Sequence, residues 1–100
     1  MIGDEVLITI RLFAALREAV GERAVKVPFS DGMTVELALE TLVAQHSKLI
    51  ELLYQDKNKQ KLNDFFHILV NGMAIERQDG LETKLKEKDV ISILPPVGGG

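Results

Sequence analysis

Val90-Ile91-Ser92-Ile93-Leu94-Pro95-Pro96-Val97-Gly98-Gly99-Gly100 closes the sequence, and its reading decides the fold. Ile91 and Ile93 alternate against Val90, Ser92 and Leu94, the period-two pattern of a strand with one apolar face. Pro95 and Pro96 stop that strand, because proline cannot donate to a ladder and it biases the preceding residue toward extended geometry. The glycines that follow have nothing to cap or turn, so their conformational freedom is only a cost to order. The tail is therefore expected to point outward to a partner. Lacking side chains, it suits a narrow channel, and the one reactive group it delivers there is the α-carboxylate of Gly100. Taken alone, a frayed or appended end reads the same way.

Composition narrows the setting. One hundred residues, 46% hydrophobic and 27% charged, suit one compact domain. We expect residues 1–94 to form it, with residues 95–100 as a flexible tail. With no cysteine, disulfides, thiolate metal sites, iron–sulfur clusters and thiol catalysis by this chain are excluded. Residues 1–5 open with acids rather than a basic region, and no run approaches about 18 apolar residues. Neither a signal peptide nor a membrane span is expected, and a cytoplasmic location fits best. The net charge of −3 argues against nucleic acid as a partner, since neutralising phosphate needs a basic surface. By the same reasoning a basic docking protein is the more natural partner.

Back from the last strand, Leu81 and Leu85 stand four apart and predict a short helical or 3₁₀ turn that tucks two leucines under the sheet. Asp79-Gly80 is a turn. Asn71-Gly72, between strand-like residues 65–70 and 73–75, is the strongest short-range hairpin signal in the chain. Residues 55–61 contain no apolar side chain and read as a solvated loop. Earlier, Thr34 is a candidate N-cap. After it Val35, Ala38, Leu39, Leu42 and Val43 recur at helical spacing, while Glu36, Glu40 and Gln45 face water. His46-Ser47 interrupts this helix, and Leu49, Ile50, Leu52, Leu53 and Tyr54 add a further turn or two. At the start, residues 6–13 read as a strand burying Val6, Ile8, Ile10 and Leu12. Residues 14–20 form a short helix that Gly21 stops. Residues 22–27 form a second strand, which Pro28 ends or marks as an edge. Strands, a covering helix, a hairpin and a return strand favour an α+β sandwich with helices on one face of a mixed sheet.

These residues also carry a likeness. Phe13-Ala14-Ala15-Leu16-Arg17-Glu18 after a strand, Val70-Asn71-Gly72 in a hairpin, residues 85–89 before a strand, and the closing Pro-Pro-Val-Gly-Gly-Gly resemble the small subunit of molybdopterin synthase. They resemble equally the wider ThiS-like family, including the archaeal ubiquitin-like small modifiers. The resemblance implies the ubiquitin-like β-grasp: a mixed sheet whose first and last strands lie central and parallel, with helices on one face. It implies that an adenylating, ubiquitin-activating-like enzyme spends ATP on the Gly100 carboxylate. Sulfur capture then gives a thiocarboxylate for molybdopterin biosynthesis; alternatively, lysine capture gives an isopeptide-linked protein modifier. In either case the chain is a co-substrate and carrier that binds no cofactor itself. Its other partner is the large subunit of molybdopterin synthase or a conjugated target protein. Residues 47–64 make the chain longer than a minimal sulfur carrier and lean toward the archaeal branch.

Carried onto this sequence, the resemblance assigns the reaction to Gly100 and tail access to Gly99, with Gly98 supplying flexibility. Phe13, Leu94, Pro95, Pro96 and Val97 become the partner-binding residues. Alternation places Phe13 and Leu94 on the water-facing side of adjacent strands, beside the root of the tail, as an exposed apolar pair fit for docking. The hairpin contact expected near Ala74 is weakened by the small residue there. Rival sites are poor. His46 and His67 have no acid cluster around them, so no metal site is expected. Lys57, Lys59 and Lys61 read as a solvated loop face, with self-conjugation as the alternative. Neither Asn71-Gly72 nor Asp79-Gly80 opens a helix after a strand, so neither is a phosphate cradle.

Overall fold

The computed structural model describes residues 6–54 and 66–95. Five strands form one mixed sheet in the order β2-β1-β5-β3-β4: β1 (Leu7–Leu12), β2 (Ala24–Pro28), β3 (His67–Val70), β4 (Met73–Ala74) and β5 (Val90–Leu94). β1 and β5 are parallel and central, with Ile10 opposite Ile91 and Leu12 opposite Ile93. β2 flanks β1 and β3 flanks β5, both antiparallel. This is the β-grasp arrangement.

Alternation decides which face is covered. Ile8, Ile10, Val27, Ile91 and Ile93 are fully buried, and Leu12, Val25, Ile68 and Val70 nearly so. Burying each such side chain contributes about 1.5–3 kcal/mol, more than the ~1 kcal/mol range of strand propensities. The register is therefore fixed by what faces the core. On the opposite face Arg11 and Lys26 are exposed and Thr9 and Ser92 half-buried.

Among the described residues three helices cover the buried face: α1 (Ala14–Val20), α2 (Val35–Gln45) and α3 (Leu49–Leu53). α1 ends at Gly21, whose φ of 85° permits its N–H to reach the Arg17 carbonyl at 2.7 Å; a side chain strains that backbone. α2 begins at Thr34, whose hydroxyl accepts from the Leu37 N–H at 3.2 Å, a cap worth about 1 kcal/mol. Its predicted stripe of Val35, Ala38, Leu39, Leu42 and Val43 is buried throughout. The start of α2 is also docked on residues 83–85. The Val35 N–H donates to the Thr83 carbonyl at 3.0 Å, and the Leu85 N–H to the Met33 carbonyl at 2.8 Å.

Element edges differ from the sequence expectation where a residue is used twice. Phe13 leaves β1 to become the N-cap of α1. Ile75 leaves the hairpin to open a 3₁₀ turn, Ile75–Arg77, of which Ile75 alone is buried. Pro28 is retained as the last residue of β2, an edge strand where its missing N–H costs no ladder bond. The turn around Leu81 is 3₁₀, Gly80–Glu82, with Leu85 buried and Leu81 packed against the core. The loop expected over 55–61 falls outside the described residues.

One polar link fixes the last strand. Asn71, at φ 50° in the β3–β4 turn, donates from Nδ2 to Asp89 Oδ1 at 2.9 Å, and its Oδ1 accepts from the Val90 N–H at 3.0 Å. Asp89 Oδ2 accepts from the Lys86 N–H at 2.8 Å. The hairpin is thereby tied to the first residue of β5. Asn71→Ala and Asp89→Ala should each cost about 1 kcal/mol of stability. In a double-mutant cycle followed by urea unfolding, the two should couple by at least about 0.5 kcal/mol. Strict additivity would show that the pair does not act as one clamp.

Candidate functional site

The site is the root of the tail. Because β1 and β5 run parallel with Leu12 beside Ile93, Phe13, which follows β1, and Leu94, which ends β5, lie at the same end of these two central strands. Leu94 is the last residue of β5 and stands opposite His67 of β3. Pro95 follows, half-buried. Pro96, Val97, Gly98, Gly99 and Gly100 lie outside the described residues, as do Lys57, Lys59 and Lys61.

Phe13 and Leu94 were expected to face water as an exposed pair. Both are half-buried. Phe13 has the extended backbone of an N-cap (φ −134°, ψ 155°). Its carbonyl accepts from the Leu16 N–H at 3.1 Å, and the chain swings away at Ala14, where φ is 51°. The Arg11 guanidinium lies 5.5 Å from the Phe13 ring centroid, within cation–π range. The apolar pair is thus a partly covered step rather than an open patch.

His67 is exposed on the outer face, as expected, and His46 is the half-buried C-cap of α2. Among the described residues no three His, Cys, Asp or Glu side chains converge on a common point. No helix among them is long and apolar enough to cross a membrane. Ala74 is half-buried opposite Leu69, and the apolar surface that the hairpin exposes comes from its neighbour Met73, 52% exposed.

Sequence reading missed one feature. Arg11, Arg17 and Arg23 line a single cavity of about 190 Å³ beside Phe13. Three of the four arginines fall within residues 11–23, which is a signal of sorts. That they meet depends on the β1–β2 register, which sets Arg11 beside Ala24.

The sequence matches the ThiS family over residues 10–100. The chain belongs to the ThiS family. It is 33% identical over 91 residues to small archaeal modifier protein 3 of Haloferax volcanii, covering 91% of this chain and 96% of that protein. It is 30% identical over 93 residues to the sulfur carrier protein CysO of Mycobacterium tuberculosis, covering 93% and 98%. The solution structure of small archaeal modifier protein 1 from Methanosarcina acetivorans superimposes with a TM-score of 0.82 at 34% identity, over 98% of this chain and 100% of that one. This ThiS-family chain is therefore similar to modifiers and sulfur carriers alike, within one ubiquitin-like fold.

For a ThiS-family domain the half-buried step beside the tail is a testable contact. If a partner docks on this step, Phe13→Asp should weaken its binding by about tenfold or more, since truncating an apolar anchor at an interface costs 1–2 kcal/mol or more. The thermal midpoint should stay close to wild type, because Phe13 is outside the fully buried set. Calorimetric titration and a thermal melt check both halves; global unfolding would place Phe13 in the core instead.

Proposed function

We propose that this protein is a ubiquitin-like carrier whose C-terminal Gly100 is adenylated by a separate activating enzyme and converted to a thiocarboxylate. The observation that carries the reading is the parallel β1–β5 pair, which brings Leu94 to the C-terminal end of the two central strands. In sequence, Pro-Pro-Val-Gly-Gly-Gly follows directly. A carboxylate oxygen of Gly100 attacks the α-phosphorus of ATP and pyrophosphate leaves, giving an acyl adenylate. The partner's persulfide sulfur then attacks the acyl carbon and AMP departs. A thiol reductant cleaves the resulting acyl disulfide to the thiocarboxylate. ATP binds the activating partner, and this chain brings the carboxylate and the surface that presents it. The sulfur acceptor in this proposal is a molybdopterin precursor on the large subunit of molybdopterin synthase, and the work is cytoplasmic.

A second reading is favoured by the 33% identity to small archaeal modifier protein 3. A lysine amine in place of the sulfur nucleophile leaves Gly100 in an isopeptide bond to another protein. Intact-mass measurement after co-expression with the adenylating enzyme of the same organism decides between them. Exchange of one oxygen for sulfur at Gly100 supports the carrier, and lysines of other proteins carrying residues 89–100, the remnant that trypsin leaves after Lys88, support the modifier. An unmodified Gly100 together with unbranched cellular peptides would overturn both.

A further inference from the structure

The net charge of −3 points to a basic partner, but the surface beside the tail is locally the opposite. Arg11, Arg17 and Arg23 converge on one cavity of about 190 Å³ that Phe13 also lines. All three are exposed, and they come from three different elements. Arg11 projects from the outer face of β1, Arg17 from α1, and Arg23 from the turn that leads into β2. Their backbones are fixed. The Leu12 N–H donates to the Arg23 carbonyl at 2.8 Å and the Gly21 N–H to the Arg17 carbonyl at 2.7 Å. Stacking on the Phe13 ring at 5.5 Å further restrains Arg11.

We propose that this arginine cradle docks an acidic segment, a run of Asp or Glu side chains, on the enzyme that activates the tail. The inference rests on the reading of Gly100 as an activated carboxylate. Three positive side chains lining one cavity favour an anion there, and the planar guanidinium fork pairs carboxylates bidentately in a way an ammonium does not. The chain has eight lysines, yet all three cradle positions are arginine. The cradle adjoins Phe13, which follows Leu12 just as Leu94 follows Ile93 opposite it on β5, so a partner gripping the cradle lies close to the root of the tail. The nucleotide must meet Gly100, six residues beyond Leu94, so the cradle is placed to read the enzyme and not ATP. Exposed charges of this kind act chiefly on encounter and register, and they weaken with salt.

The test is steady-state activation, followed by ATP–pyrophosphate exchange at varied carrier concentration with the adenylating enzyme of the same organism. The triple variant Arg11→Glu, Arg17→Glu, Arg23→Glu should raise KM for the carrier about tenfold or more with kcat unchanged. Arg77→Glu, beyond β4 at the other end of the sheet, should leave both at wild type. Raising the salt should bring wild type toward the triple variant. A triple-glutamine variant replaces the glutamates if thermal melts show that those unfold the domain. A folded triple variant with wild-type KM, or an equal rise in Arg77→Glu, would overturn the cradle. A wild type that is never activated refutes the carrier reading instead. The cradle is then judged by titrating a short polyglutamate peptide and following the Arg Nε–H signals by NMR. Shifts at Arg11, Arg17 and Arg23 support it, whereas no shift, or a response to ATP alone, overturns it.

Discussion

Gly99→Val is expected to abolish activation of the tail while leaving the domain as stable as wild type. The two halves have separate physical causes. The hydrophobic core is built from residues between Ile8 and Ile93, so a substitution at position 99 removes no part of it. The proposed activation needs the Gly100 carboxylate in line with the α-phosphate of ATP inside the activating enzyme's channel. A valine one residue away brings two methyl groups and a stiff χ1 into that passage, and displacement of a reacting atom by about 1 Å can cost some 10²-fold in rate. Activity in ATP–pyrophosphate exchange should fall by at least about that factor, with the urea midpoint unchanged. Activation of Gly99→Val at the wild-type rate would remove the narrow-channel argument. Residues 96–100 reach at most about 17 Å when fully extended, so a partner that docks at Phe13 and Leu94 must hold its nucleotide within that span.

The second large effect is on stability. Ile10 is fully buried, with Val25 on one side of it and Ile91 on the other. Ile10→Ala should destabilise the domain by about 3–4 kcal/mol, the transfer loss plus the cavity left in a close-packed sheet–helix interface. Against a typical total of about 5–15 kcal/mol that is a large share. For a chain of this size each kcal/mol moves the melting temperature by roughly 4–8 °C. Ser92→Ala, half-buried on the outer face of β5, should by contrast stay within about 0.5 kcal/mol. Equilibrium urea unfolding with an unchanged m-value checks both. Equal stability of Ile10→Ala and wild type would mean that the buried face has been assigned to the wrong side of the sheet.

Local patterns proved the most legible. The Ile8-Ile10-Leu12 and Ile91-Ile93 alternation, the Thr34 cap, the α2 stripe and the Gly21 stop each depend on residues within a turn or two of one another. Periodicity and capping chemistry report such relations directly. The Asn71-Gly72 turn was legible for the same reason, but its partner Asp89 was not, being 18 residues away in sequence. At the site, the root at Leu94 and Pro95 followed from strand and proline signals. The half-burial of Phe13 did not, because period-two alternation assumes the strand continues, whereas Phe13 caps the next helix.

By itself the sequence determined the strands, their buried sides, the helices and a glycine-rich end behind two prolines, since local sterics and hydrophobic period are written residue by residue. Its family likeness supplied the central, parallel pairing of the first and last strands. Only the tertiary structure decided how far Phe13 and Leu94 are covered, how Asn71 ties the hairpin to β5, and that Arg11, Arg17 and Arg23 share one cavity. Those outcomes depend on register between chain segments and on which neighbour stands across the ladder, and no run of adjacent residues encodes them.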